Sequence, residues 1–359
     1  MRWESGEKNP TLNQVRTLAG YYKRPLAAFF LPEPPEEPPL PKDFRTLPGE
    51  DILPLSPKTR LALRRARRLQ SLTKELNPDF PGDIAARIGR ASLSDDPDSL
   101  AAEVRNQFGV TSQVQFGWEK DSDALDEWRK RVEDQGVLVF QMSWPLEEAR
   151  AFSIAEGDIP VIVLNTKDHV RARVFSLLHE FGHLLLDEGG ICDPIRGLLW
   201  AASETTTHAE DIRSVEIFCN HFAGALLVAR DDLLGHHLVV REDRPREWPN
   251  RTLGRLAKEF KVSREVILRR LLISRRTSRQ FYQIKHEEWE TKARERQERK
   301  GGGRRDPPKE CVQHNGAPFV SLVLESYRND RITCSDVSDY LNIRLKHLPK
   351  VEGLVEVKG

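Results

Sequence analysis

Two histidines four residues apart, His179 and His183, bracket Glu180 in the string FSLLHEFGHLLL at residues 175–186. On a helix, residues i and i+4 lie one above the other on the same face, so both imidazoles can reach one ion at about 2.0–2.1 Å. Glu180, next to the first histidine, is then angled toward a water on that ion, which is where a general base has to be. Leu177, Leu178, Leu184 and Leu185 surround the three and bury the helix. In such surroundings two imidazoles and a carboxyl are costly unless a cation satisfies them. The pattern therefore reads as a zinc site doing hydrolytic chemistry.

A catalytic zinc takes three protein ligands and keeps a fourth position open, whereas a structural zinc is normally closed by four ligands, mostly cysteines. One route to the third ligand needs a glycine three residues past His183 and a histidine six past it. Leu186 and Gly189 occupy those positions, so that route is closed. Glu216, in SVEIFCNHFAGALLV, is the better candidate. It falls on the next expected helix, flanked by core residues Phe218 and Cys219, and shares a face with Asn220, which is placed to orient its carboxylate. Four competitors remain. His221 is about 100° round the helix from Asn220, His208 sits in a polar stretch, Asp187 is better suited to accept an imidazole N–H, and Cys192 could approach as a thiolate.

The elements that must hold these residues follow from spacing. Helices are expected at 97–108 and 121–135, strands at 137–140 (VLVF), 153–154 and 160–164 (PVIVL), a long helix over 168–186 and another over 212–229. This is an α+β order, a small sheet laid against the helix that bears the histidines. The strand near 159–165 is expected at the sheet edge, free to pair with an extended substrate, with Arg150–Ser153 forming the opposite wall. His208, His221 and Arg213 are the candidates for an oxyanion donor. Residues 252–273 form a helix, a short turn and a second helix, which either packs on the core or recognises DNA or a partner.

Toward the N-terminus, 11–22 has helical spacing with Thr11 as its cap, and 25–30 a second short helix. LPEPPEEPPLPKDF then reads as a stiff proline-rich linker. Helix 56–76 carries Arg60, Arg64, Arg65, Arg67 and Arg68. Without interleaved aromatics it reads as a solvated face, with nucleic-acid contact as the alternative. Residues 286–309 read as a fraying charged helix that passes into a GGGRRD linker. The unit 311–348 reads as small and mixed, and the sequence assigns it no role.

Lysine plus arginine number 56 against 55 acidic residues, so the net charge of +1 creates no global field for nucleic acid or anionic lipid. The opening MRWESGEKNP lacks the pattern of a signal peptide, and no apolar run approaches the roughly 20 residues of a membrane span. Four cysteines without a CxxC pair suit a reducing compartment. A soluble cytoplasmic protein is expected, with no membrane partner.

These residues resemble the ImmA/IrrE metallopeptidases, often fused behind an Xre-type (Cro-like) helix-turn-helix. RVEDQGVLVF, AFSIAEGDIPVIVLN, RVFSLLHEFGHLLL and EIFCNHFAGALLV look like the family's strand, edge-strand, metal-helix and third-ligand blocks. LAKEFKVSREVILRRL looks like the helical segment that follows, and WESGEKNPTLNQVRTLAGYYKRPLAAFF like the end of an Xre domain. The resemblance implies a zincin-like core in which His179, His183 and Glu216 hold Zn2+ and Glu180 is the catalytic base. It also implies a substrate that is itself an Xre-type repressor, in stress response or mobile-element regulation. The implied division is a partial Xre-type helix-turn-helix at 1–31, linker at 32–55, peptidase domain at 56–235, helical extension at 236–290, linker at 291–310 and a C-terminal unit at 311–359. With Trp3 and Glu4 nearly first, this sequence lacks the counterpart of helices one and two and most of helix three of an Xre domain. Either the true start lies upstream or 1–31 is a packing or docking remnant, and sequence-specific DNA binding is not expected of this N-terminus. The rival reading is a DNA- or partner-binding transcriptional regulator with a non-catalytic metal site.

Overall fold

Three apolar runs pair at the heart of a five-stranded sheet ordered β1-β5-β3-β4-β2. The structure is a computed structural model and describes residues 3, 5–22, 24, 26–33, 42–43, 55–80, 89–157, 159–187, 190–192, 207–240, 246–297 and 306–356. They divide into units 1–40 and 41–359. The first unit holds α1 (Leu12–Tyr22) and a 3-10 turn (Leu26–Phe30). Thr11 and Gln14 start α1 reciprocally: the Thr11 amide donates to Gln14 Oε1 at 2.8 Å and the Gln14 amide to Thr11 Oγ1 at 3.4 Å. Of the expected linker over 32–55, only 32–33, 42–43 and 55 fall within the described residues.

The second unit runs β1 (Lys42–Asp43), α2 (Pro57–Leu76), α3 (Pro97–Gln107), α4 (Ser112–Gly117), α5 (Asp121–Glu133), β2 (Leu138–Met142), β3 (Ala151–Ile154), β4 (Val161–Asn165) and α6 (Val170–Leu185). After β5 (Gly190–Cys192) come α7 (Thr207–Leu227), α8 (Arg230–Gly235), α9 (Asn250–Glu259), α10 (Arg264–Ile273), α11 (Arg279–Gln297), α12 (Pro307–Asn315), α13 (Ala317–Arg328), α14 (Cys334–Leu341) and α15 (Leu348–Glu356). β4 pairs parallel with β2 (Val161 opposite Leu138) and antiparallel with β3 (Val161 opposite Ile154). It is therefore interior, which corrects the expectation of a free edge at 159–165. β5 covers β3 at Ala151 and Phe152, and β1 lies beyond β5.

Both faces of the sheet are dry. Val139, Ala151, Ile162 and Leu164 pack with α6 and α7. Leu138, Phe140, Phe152, Ile154, Val161 and Val163 pack with α2 and helices α12–α15. A sheet covered on both sides explains why these strands are apolar without alternation. The unit expected to be mixed at 311–348 is helical throughout its described residues, with a 3-10 turn at Leu345–His347, and it roofs the second face. The arginine-rich helix α2 lies under the same roof, its Ala62, Leu63, Ala66 and Leu69 buried.

The helix pair α9–α10 belongs to the core. Val266, Ile267, Leu268, Arg269, Arg270 and Leu271 are all buried, and Arg270 donates to the Val228 carbonyl and pairs with Asp98. Residues 266–271 of α10 are thereby committed to packing on the core. Among the described residues no helix is long and apolar enough to cross a membrane. Phe319 of α13 meets Phe140 of β2 edge-on at 5.6 Å, both fully buried. We predict that Phe319→Ala lowers unfolding free energy by about 3–5 kcal/mol in a denaturant titration. A loss below about 1 kcal/mol would mean the roof does not contribute to the core.

Candidate metal centre

α6 is fixed at its start by Asp121, which accepts from Arg171 Nε at 2.8 Å, and by its N-cap His169, whose ring accepts from the Arg171 amide. From Ser176 to His183 every residue is buried, so the helix is sheathed on all sides where the histidines lie. His179 and His183 fall one turn apart on one face, as the spacing predicts. Their Nε2 atoms are 3.1 Å apart.

α7 brings Glu216 to the same point. Its Oε1 is 3.1 Å from His183 Nε2 and its Oε2 3.5 Å from His179 Nε2, and all three side chains are wholly excluded from solvent. A tetrahedral ion about 2.0–2.1 Å from each donor requires donors about 3.3 Å apart, and these distances bracket that value. A shared proton could link two of the three atoms but not all of them. Among the described residues, neither Glu216 oxygen nor His179 Nδ1 has a hydrogen-bond partner of good geometry. Burial pushes the Glu216 carboxyl up, but the His179 and His183 imidazoles outweigh it and hold its pKa at about 2. The group can hold a metal ion.

Glu180 points elsewhere. Its Oε2 accepts from Ser153 Oγ on β3 at 2.7 Å, while Oε1 meets no donor among the described residues. Burial pushes its carboxyl pKa up, against the pull of His183 and His179. The contact with Ser153 is one that the sequence reading missed, although Arg150–Ser153 was placed as a wall of the site. Its signal was available: a serine between Phe152 and Ile154 in a fully buried strand needs a partner on the face it shares with Ala151.

The competitors are not brought to the centre. His221 Nε2 pairs with Asp98 at 2.7 Å, and that carboxylate also takes Arg270, tying α3, α7 and α10 together. Asp187 is exposed just past α6 in a left-handed conformation (φ 59°), so it is no imidazole acceptor. Asn220 is buried, but neither amide atom is hydrogen-bonded among the described residues, so it does not orient Glu216 as expected. The side chains of Cys192, His208 and Arg213 lie outside the described residues.

Gly182 sets how closely α6 and α7 approach. A Cβ there would sit 3.1 Å from Phe222 Cδ1 and 3.4 Å from the Cys219 Cα. The glycine lets α7 bring Glu216 up to the two histidines.

Residues 132–272 match the Peptidase M78 family model, the IrrE N-terminal-like domain. No curated protein matches the chain. The matched stretch holds the three possible ligands, Glu180 and Ser153, and runs through α10, so it supports the ImmA/IrrE family and a metallopeptidase role for this region. It does not extend to α1, to α2 or to the helices that roof the sheet.

Two outcomes test the centre. Glu216→Ala should bind no stoichiometric metal by elemental analysis after dialysis, whereas the unaltered protein retains about one ion per chain. In Gly182→Ala, the better helix propensity of alanine, about 1 kcal/mol, competes with overpacking of roughly 1–3 kcal/mol. We expect metal affinity to fall about tenfold in competition with a chromophoric chelator. Unchanged affinity would show that the close approach is dispensable.

Proposed function

We propose that this chain is a zinc-dependent, site-selective endopeptidase whose substrate is a protein of the Xre-repressor type. The activity reading rests on one observation: two imidazoles and a carboxylate converge at tetrahedral spacing in a dry core, with a second, separately held carboxylate beside them. Two nitrogens, one oxygen and a tetrahedral arrangement are a zinc donor set. When bound, zinc supplies Lewis acidity toward the scissile carbonyl and toward water. Glu180 takes the proton of the attacking water on its free Oε1 and delivers it to the departing amine. Ser153, donating to Oε2, holds that carboxylate in place and leaves Oε1 for the proton.

An extended substrate finds main-chain partners on β3. β5 pairs with β3 at Ala151 and Phe152, so strand addition would take place toward the Ile154 end of β3. The choice of an Xre-type substrate, in the cytoplasm and in stress or mobile-element regulation, follows the family resemblance. The rival, a DNA- or partner-binding regulator with a structural metal, has less behind it. Three ligands leave a position open, and α10 is buried.

The test incubates purified protein, zinc and an Xre-type repressor encoded beside its gene, comparing the unaltered chain with Glu180→Gln. Cleavage should drop by about 10²–10⁴-fold while metal content stays the same. Equal cleavage by both would sink the mechanism, and cleavage of unrelated unfolded proteins at the same rate would sink the substrate class.

A further inference from the structure

Away from the metal centre, a cavity of about 590 Å³ opens where α2, the end of β2 and the C-terminal helices meet. α2 lines it with Lys58 and Arg65, which share one helical face, and α12 lines it with Glu310 and His314. Arg344 and His347 border it from the segment after α14. Three permanent cations and two imidazoles thus face one carboxylate, in a chain whose net charge is only +1.

Arg65 carries the argument. Several arginines drawn into the interior meet a carboxylate: Arg129 has Glu133 at 2.8 Å, Arg150 has Asp168 at 2.7 Å, and Arg270 has Asp98, while Arg173 donates to the Gln141 side chain. Arg65 is partly buried and makes one long hydrogen bond, from Nη2 to Asn315 Oδ1 at 3.4 Å, with no carboxylate in ion-pair reach among the described residues. Burial pulls its guanidinium pKa down and Arg68 adds to the fall, with the Cys311 thiol, and no carboxylate, pulling the other way. His314 senses the same field. Burial lowers its pKa, Glu310 raises it, and Arg129, Arg65 and Arg173 each lower it further. A guanidinium withdrawn from water without an anion is a cost the fold bears for no structural return.

We propose that this cavity binds a small phosphorylated molecule, its phosphate held by Arg65 and Arg344, with Lys58 and the two histidines closing round it. A planar fork of N–H donors takes two phosphate oxygens at once, and the double charge suits a site with this excess of cations. The volume lies in the range of small-molecule sites and suits a mononucleotide better than a bare ion.

Calorimetric titration of the full chain with inorganic phosphate and with AMP, at constant ionic strength and with sodium acetate and chloride as controls, tests the site. Both probes should bind with Kd below roughly 1 mM, AMP the tighter. Binding should fall at least about tenfold in Arg65→Gln and in Arg344→Gln, and should persist in His179→Ala, where the metal centre is broken. Arg344 is exposed, so its variant folds even if Arg65→Gln does not. No heat from either probe, equal binding of acetate, undiminished binding in Arg344→Gln, or loss of binding in His179→Ala would each overturn the proposal.

Discussion

Three lone-pair donors are forced together where water cannot reach, and much of the fold exists to keep them there. Two imidazole nitrogens and a carboxylate at 3.1–3.5 Å repel one another unless something positive sits among them. Holding them needs rigidity on every side: a sheet behind α6, α7 across it, and α3 and α10 clamped to α7 through Asp98, His221 and Arg270. The apolar shell raises the cost of the polar cluster, and in doing so raises its affinity for a cation.

The shell also separates the two buried carboxylates into different roles. Glu216 sits between two imidazoles and is held ionised, whereas Glu180 is pushed toward its neutral form by burial and steadied by a single hydroxyl. Environment, not residue type, sets the two carboxylates apart. The sheet supplies the difference, because β3 turns Ser153 toward α6 and Phe152 and Ile154 toward the opposite core.

Much of this was legible in the sequence because it is local. HExxH fixes its geometry within one helical turn, and strand and helix positions follow from apolar runs bounded by turn residues, so β2, β4, α6 and α7 fall within a few residues of expectation. Glu216 was legible because a carboxylate among Val215, Phe218 and Cys219 needs a reason to be buried. What could not be read was pairing at a distance. The interior place of β4, the short strands β1 and β5, and the helical roof from 306 onward depend on which elements meet, and no local pattern encodes that. His221 and Asn220 show the same limit. They follow Glu216 by five and four residues, yet one pairs with Asp98 and the other is unbonded among the described residues.

Glu216 reaches the histidines from a helix that follows a long intervening segment. The donor set therefore does not exist in any short stretch of the unfolded chain, and an ion that needs all three ligands binds the native state almost exclusively. Occupancy then adds RT ln(1 + [L]/Kd) to the stability of the folded protein. With an ion in it, the centre would be a gauge of metal supply: the lifetime of the chain against unfolding and degradation would rise and fall with the free metal around it, whether or not a substrate is present.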